Sequence, residues 1–378
     1  MENKTPHRLS LCIAAILLGG FFASAESVSH SVGVNVRPSY IIPTHGFYNG
    51  WNPTGKALRV GGSVHADYAF SYPDSYLGVG IGVQTFIAHE ALGTPVSLYV
   101  FQGAPVAGFS DRLTLDYEWN LGLSAGWKPD EEYMLTGSRL NIYINVGLFL
   151  HWRLNKDWDL QMGPEYTHYS NGDTVFPNGG ANTVNFRIGA RRFFGRVSAK
   201  AVRPSVFSSA DEELPFARRV TYDLTAFGAW RADRMIIGSR LHIINEAFLT
   251  AGLQFNPLYH FNGYLSAGPS LDLLYDRSAN LNASVDEEHV LTYSSPAFIN
   301  QCAAGISVRG ELKMPIFAVN IGIGYNFSRR GSDLRGIYGI FALKAFVTES
   351  IFLNIGYRLS TVLYSHNLMF GLGWRFGA

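Results

Sequence analysis

Leu77-Gly78-Val79-Gly80-Ile81-Gly82-Val83 alternates aliphatic residues with glycine at a period of two. An extended chain therefore carries Val79, Ile81 and Val83 on one face and three small residues on the other. No helix follows to turn the glycines into a nucleotide loop. The same period recurs along the chain in segments of about ten residues separated by turn residues, which is the pattern of membrane-crossing β-strands. The last segment repeats it with larger groups. Leu368, Phe370, Leu372, Trp374 and Phe376 share one face, and Asn367, Gly371, Gly373 and Arg375 share the other. Lysine or arginine on a lipid face near mid-bilayer costs about 2–4 kcal/mol, so the apolar face is assigned to lipid and the other to the lumen.

Composition agrees with this. Charged residues make up 16% of the 378 residues, against roughly 25% in soluble domains, and aromatics reach 14%. A formal net charge of +1 leaves no basic footprint, so nucleic acid is not an expected partner. Lys4 and Arg8 precede an apolar run from Leu11 to Phe22, and Ala23-Ser24-Ala25 then reads as a cleavage site. Residues 1–25 are expected to be a secretory signal peptide. Cys12 falls within it, which leaves Cys302 as a small strand residue without an internal disulfide partner. The run is too short to cross a bilayer as a helix. The expected fold is all-β, an antiparallel transmembrane barrel in the outer membrane of a Gram-negative-type cell.

Strands are predicted at 31–41, 58–70, 76–88, 96–108, 112–124, 137–151, 157–170 and 182–194. A second series follows at 219–230, 245–256, 260–273, 299–311, 316–327, 335–348, 351–363 and 366–376. Connections 71–75, 109–111 and 155–157 are tight, whereas 42–57, 125–136 and 171–181 are longer. Short turns face the periplasm and long loops the exterior. The second series reads as a copy of the first, since Leu160 to Gly163 (LQMG) matches Leu353 to Gly356 (LNIG) and Gly189 to Gly195 (GARRFFG) matches Gly371 to Gly377 (GLGWRFG). The organisation expected is thus 26–203 as a first repeat, 204–217 as a periplasmic connection and 218–378 as a second repeat. The preferred architecture is one barrel of about 14–16 strands, with two tandem eight-stranded barrels as the alternative. Tyr48, Trp51, Trp127, Trp152 and Trp158 are expected in aromatic girdles.

The same parity test on 160–170 places Leu160, Met162, Pro164, Tyr166, His168 and Ser170 on the lipid face. Asn182 falls on the lipid face of the next strand. Residues i and i+2 lie about 7 Å apart along a strand with parallel side chains. An imidazole beside a hydroxyl is the base and nucleophile of acyl transfer, and a third group that bonds the other ring nitrogen fixes the tautomer. Of the 11 histidines only His168 has serine two residues on. His89-Glu90 lacks the second histidine of a zinc motif, and no Cys/His spacing suits zinc. Arg191 and Arg192 read as interface or lumen charges.

His168-Tyr169-Ser170-Asn171-Gly172, followed by Pro177-Asn178-Gly179-Gly180-Ala181-Asn182 leading into a strand, resembles the outer-membrane lipid A deacylases, also called acyloxyacyl hydrolases. The resemblance covers residues 31–198, and the second repeat lacks the motif. It implies an esterase that removes an acyl chain from lipid A, with lipopolysaccharide as partner. Ser170 would be the nucleophile, His168 the general base, and Asn171 with the backbone N–H of Gly172 the oxyanion donors. Those enzymes are expected to carry glutamate where Asn182 stands. The Ser-His-Asn set is also similar to outer-membrane phospholipase A, which depends on calcium and makes phospholipid the alternative substrate. Asp173 could supply a carboxylate or help hold such a cation, although a loop aspartate reads by default as a solvated turn residue. No organic cofactor is implied. A non-catalytic, porin-like or structural barrel is the contrasting expectation.

Overall fold

A computed structural model describes residues 29–377 apart from 73–74, 88, 130–131, 197–218, 238–239, 287–290, 315–316, 332, 335 and 361–363. The expected signal peptide and the connection 204–217 lie outside the described residues. The first repeat forms β1 (Ser29–Ile41), β2 (Val60–Ser71), β3 (Tyr76–Thr85), β4 (Gly93–Ser110), β5 (Leu113–Trp127), β6 (Leu140–Arg153), β7 (Trp158–Ser170) and β8 (Ala181–Phe194). Each pairs antiparallel with its neighbours in sequence, and β8 returns to pair with β1 from His30 to Ile41. The barrel is therefore closed with eight strands.

The second repeat forms β9 (Val220–Ile237), β10 (Arg240–His260), β11 (Leu265–Asp276), a small hairpin of β12 (Asn282–Val285) and β13 (Leu291–Ser294), then β14 (Cys302–Lys313), β15 (Phe317–Arg329), β16 (Ile337–Phe346), β17 (Ile351–Ser360) and β18 (Tyr364–Phe376). Here β18 closes on β9, with the β12–β13 hairpin outside the wall. The single large barrel preferred from sequence is thus corrected to two tandem barrels of eight. Strand periodicity is the same in both arrangements. What decides closure is whether the lumen can be filled, and eight strands leave a bore that side chains can fill.

The first lumen is filled with charge and aromatic rings. Arg37 pairs with Glu165 at 3.1 Å, Arg187 with Glu118 at 2.6 Å and Glu165 at 2.9 Å, and Arg191 with Asp67 at 2.7 Å. Asn120, Asn145, Thr167 and Asn185 form a hydrogen-bonded chain across the wall. The glycines of Leu77–Val83 now have a reason. A Cβ on Gly80 would fall 2.4 Å from the Tyr99 ring, and one on Gly82 would fall 2.2 Å from the His65 imidazole. Lumenal rings lie flat on the wall only where it carries no side chain. The second lumen is similarly occupied, with Lys344 and Arg375 against Asp223 and Glu311, and Arg309 against Asp272.

The barrels pack side by side. On the outer face of the first, Trp119 Nε1 donates to Gln102 Oε1 at 3.0 Å, and Gln102 Nε2 donates to Tyr117 Oη at 3.0 Å. This otherwise lipid-facing cluster is covered by Phe317 and Ala345, with Leu343 and Leu353 at its margin. A polar glutamine is tolerated there because its amide is paired and covered.

Of the aromatics expected in girdles, Trp51, Trp152 and Trp158 are exposed. Tyr48 and Trp127 are buried and do another job. Tyr48 Oη donates to the Gly180 carbonyl at 2.8 Å, and Trp127 packs on Phe86 and Tyr169. The correction is one of loops: the β1–β2 connection folds over the barrel mouth and carries Tyr48 inward.

Candidate active site

β7 and β8 pair so that His168 stands directly opposite Asn182. Both strands obey the parity read from sequence, with Gln161, Glu165 and Thr167 buried in the lumen and Met162, Pro164 and Tyr166 exposed outside. His168 and Asn182 are half-buried on the outer face, at the end of the strands that carries the long loops. His168 Nδ1 lies 2.7 Å from Asn182 Oδ1. A carboxamide oxygen only accepts, so Nδ1 carries the proton and Nε2 keeps a free lone pair. That is the tautomer a general base requires.

Asn182 is itself oriented. Its Nδ2 donates to Thr44 Oγ1 at 3.1 Å, and its Oδ1 also accepts from Tyr166 Oη at 2.6 Å. Neither partner was singled out from sequence. Tyr166 shares the outward parity of His168 two residues before it, which is a usable signal. Thr44 lies in a loop, where no periodicity points to it.

Ser170 is outward, next but one to His168, and paired across the sheet with Ile142. Its hydroxyl is 3.3 Å from the Tyr357 hydroxyl, on β17 of the second barrel. Among the described residues no hydrogen bond joins Ser170 to His168; the two are strand neighbours at the spacing of about 7 Å between alternate residues. Ser170 is only 4% exposed, so the open side of the site is the run of His168, Asn182 and Tyr166.

The loop after Ser170 is tied down. Asn171 N–H donates to Asn178 Oδ1 at 2.9 Å, and Asn171 Nδ2 donates to the carbonyls of Val175 and Pro177 at 2.7 and 3.2 Å. Every N–H of Asn171 is thereby engaged within the loop. The expectation that its amide donates to an oxyanion is corrected: Asn171 is a strut, and of the two expected donors Gly172 remains. Gly172 has φ +70°, the left-handed region that glycine occupies without strain. Gly179 N–H donates to the Leu135 carbonyl at 2.6 Å, and Gly137 N–H to the Pro177 carbonyl at 2.7 Å. With the bond from Tyr48 to the Gly180 carbonyl, three long loops are stitched together around the site.

Residues 39–191 match the family model described as lipid A 3-O-deacylase (PagL), and residues 220–378 match that of the acyloxyacyl hydrolase C-terminal domain. The chain belongs to the acyloxyacyl hydrolase family. The first match ends within β8 and contains His168, Ser170 and Asn182; the second spans the barrel without that motif. Family membership implies a hydrolase that acts on lipid A. A search of the curated proteins finds no match. Among solved structures, Neisserial surface protein A is 14% identical, covering 45% of this chain and 100% of that one, with a TM-score of 0.32. The siderophore receptor PirA from Pseudomonas aeruginosa is 7% identical over 93% of this chain and 81% of that one, at 0.27. Scores this low carry no structural argument.

The remaining candidates from sequence are dispersed. Arg191 is in the lumen on Asp67, and Arg192 lies at the short-turn end over Trp158 and Phe194. Asp173 Oδ1 accepts from Asn178 Nδ2 at 3.1 Å. Among the described residues no three His, Cys, Asp or Glu side chains gather as a metal site. Calcium takes roughly six to eight oxygens, several of them usually carboxylate. Among the described residues, the loop carboxylate of Asp173 is held by the Asn178 amide.

Proposed function

We propose that this family member is a serine esterase of the outer membrane that removes an ester-linked acyl chain from lipid A, reached sideways from the outer leaflet. The observation that supports it most is the 2.7 Å bond from His168 Nδ1 to Asn182 on the lipid-facing wall, beside Ser170. Ser170 Oγ attacks the ester carbonyl carbon while its proton passes to His168 Nε2. The carbonyl π electrons move to oxygen. The tetrahedral intermediate then collapses, the C–O bond to the sugar-side oxygen breaks, and that oxygen takes the proton from His168. Water repeats the sequence on the acyl-enzyme, releases the fatty acid and restores Ser170.

No step calls for an organic cofactor. The amide in place of a carboxylate beside His168 favours phospholipid as the second reading, since the outer-membrane phospholipases have such a set. Mass spectrometry of lipids from cells with the wild-type chain and with Ser170→Ala tests both. Loss of one acyl chain from lipid A only with the wild type supports the deacylase, and lysophospholipid in its place supports the second reading. Ser170→Ala should lower turnover on the order of ten-thousandfold. Undiminished turnover removes Ser170 from the mechanism.

A further inference from the structure

We propose that Tyr357, carried by the second barrel, is a catalytic residue of the site in the first and donates its phenolic O–H to the developing oxyanion. This rests on the reading of Ser170 as nucleophile. Two observations place the phenol there independently. Tyr357 Oη is 3.3 Å from Ser170 Oγ. A Cβ on Gly172 would fall 2.8 Å from the same oxygen. The hydroxyl therefore lies against both the nucleophile and the Cα of Gly172, and it has room there because residue 172 has no side chain. Asn171, the other donor expected from sequence, has its N–H groups engaged elsewhere. The position thus has an O–H donor from another part of the chain.

The surroundings favour this role over simple packing. Tyr357 projects from the outer face of β17, where its alternate neighbours Leu353, Ile355 and Leu359 are aliphatic. A phenol in that row has one polar group, and it meets Ser170. The second barrel also holds the loop itself, because Ala232 N–H donates to the Asp173 carbonyl at 2.9 Å. The seam of Trp119 against Phe317 fixes the two walls against each other. When Ser170 attacks, its proton leaves to His168 and the carbonyl oxygen gains the π pair. Tyr357 O–H then turns from Ser170 Oγ to that oxygen and hydrogen-bonds it with the Gly172 N–H, keeping its own proton throughout. A donor aimed where charge develops, in a site with little water, stabilises the transition state more than the ground state.

The experiment is Tyr357→Phe in the full-length chain, assayed on lipid A in vesicles beside wild type and Ser170→Ala. The ring and its packing are kept and only the O–H is lost. Expected is a fall in kcat of about 100-fold with KM within about twofold. Affinity for a phosphonate oxyanion mimic should fall with kcat, while affinity for the deacylated product stays unchanged. Equal heat-modifiability on gels shows that both barrels fold. If Ser170→Ala abolishes activity while Tyr357→Phe keeps or exceeds wild-type kcat, the donor role is overturned and the nucleophile reading stands. If Ser170→Ala itself retains activity, the reading of the site falls first.

Discussion

A carboxamide beside His168 supplies orientation without charge. Asn182 holds the ring through one oxygen and is held in turn by Tyr166 and Thr44. Hydrogen bonds to charged groups contribute about 1.5–3 kcal/mol, and in the proposed mechanism the imidazolium formed during attack is such a group. Asn182→Ala is therefore expected to lower kcat by about 10- to 100-fold with little change in KM, measured by steady-state release of fatty acid. Tyr166→Phe removes one bond to the same oxygen and should cost severalfold at most. An Asn182→Ala enzyme at full speed would show that the base is oriented by something else.

At the level of strands and loops, the outward trio was legible because parity is a local property. Once Leu160, Met162 and Pro164 are placed on lipid, Tyr166, His168 and Ser170 follow on the same side. The pairing of β7 with β8 then needs only the length of the loop between them. Loops have no such period, and their inward turns could not be read: Tyr48 leaves the girdle to bond Gly180, and Asn171 turns its amide into its own loop. One loop contact should respond to pH. His45, outside the membrane-spanning strands, is held below the usual histidine range by burial, and its Nδ1 accepts the Phe47 N–H at 3.2 Å. The neutral ring is the bonded form. Its contribution is therefore fully present above the unfolded value of about 6.5 and is lost as pH falls through the lower folded value. Protection of the Phe47 amide, its exchange rate relative to the intrinsic rate at each pH, should drop across that fall, and His45→Ala should show the same low protection at neutral pH.

For the molecule as a whole, the sixteen strands of the two walls were visible in sequence, but closure was not, because the boundary between the two series looks alike whether β8 pairs with β1 or with β9. What separates the two outcomes is a lumen filled by side chains distant in sequence. Glu165 lies between Arg37 and Arg187. Replacing it with alanine leaves two buried guanidinium groups short of a partner and should destabilise the first barrel by about 3–5 kcal/mol, read as a lower urea midpoint. Occupied lumens also lead us to expect no steady conductance from the chain in planar bilayers. A measured open channel would require the ion-paired plugs to move.

The even number of strands in each barrel has a consequence for how the two halves meet. A walk of eight crossings returns the polypeptide to the side it started from, so each barrel begins and ends on one side of the bilayer, and the contact of Ser170 with Tyr357 puts the long-loop ends of both barrels together. The later half is therefore built upright beside the earlier one. With seven or nine passes in the first barrel the second would hang upside down, and Tyr357 would be stranded a full membrane thickness from Ser170.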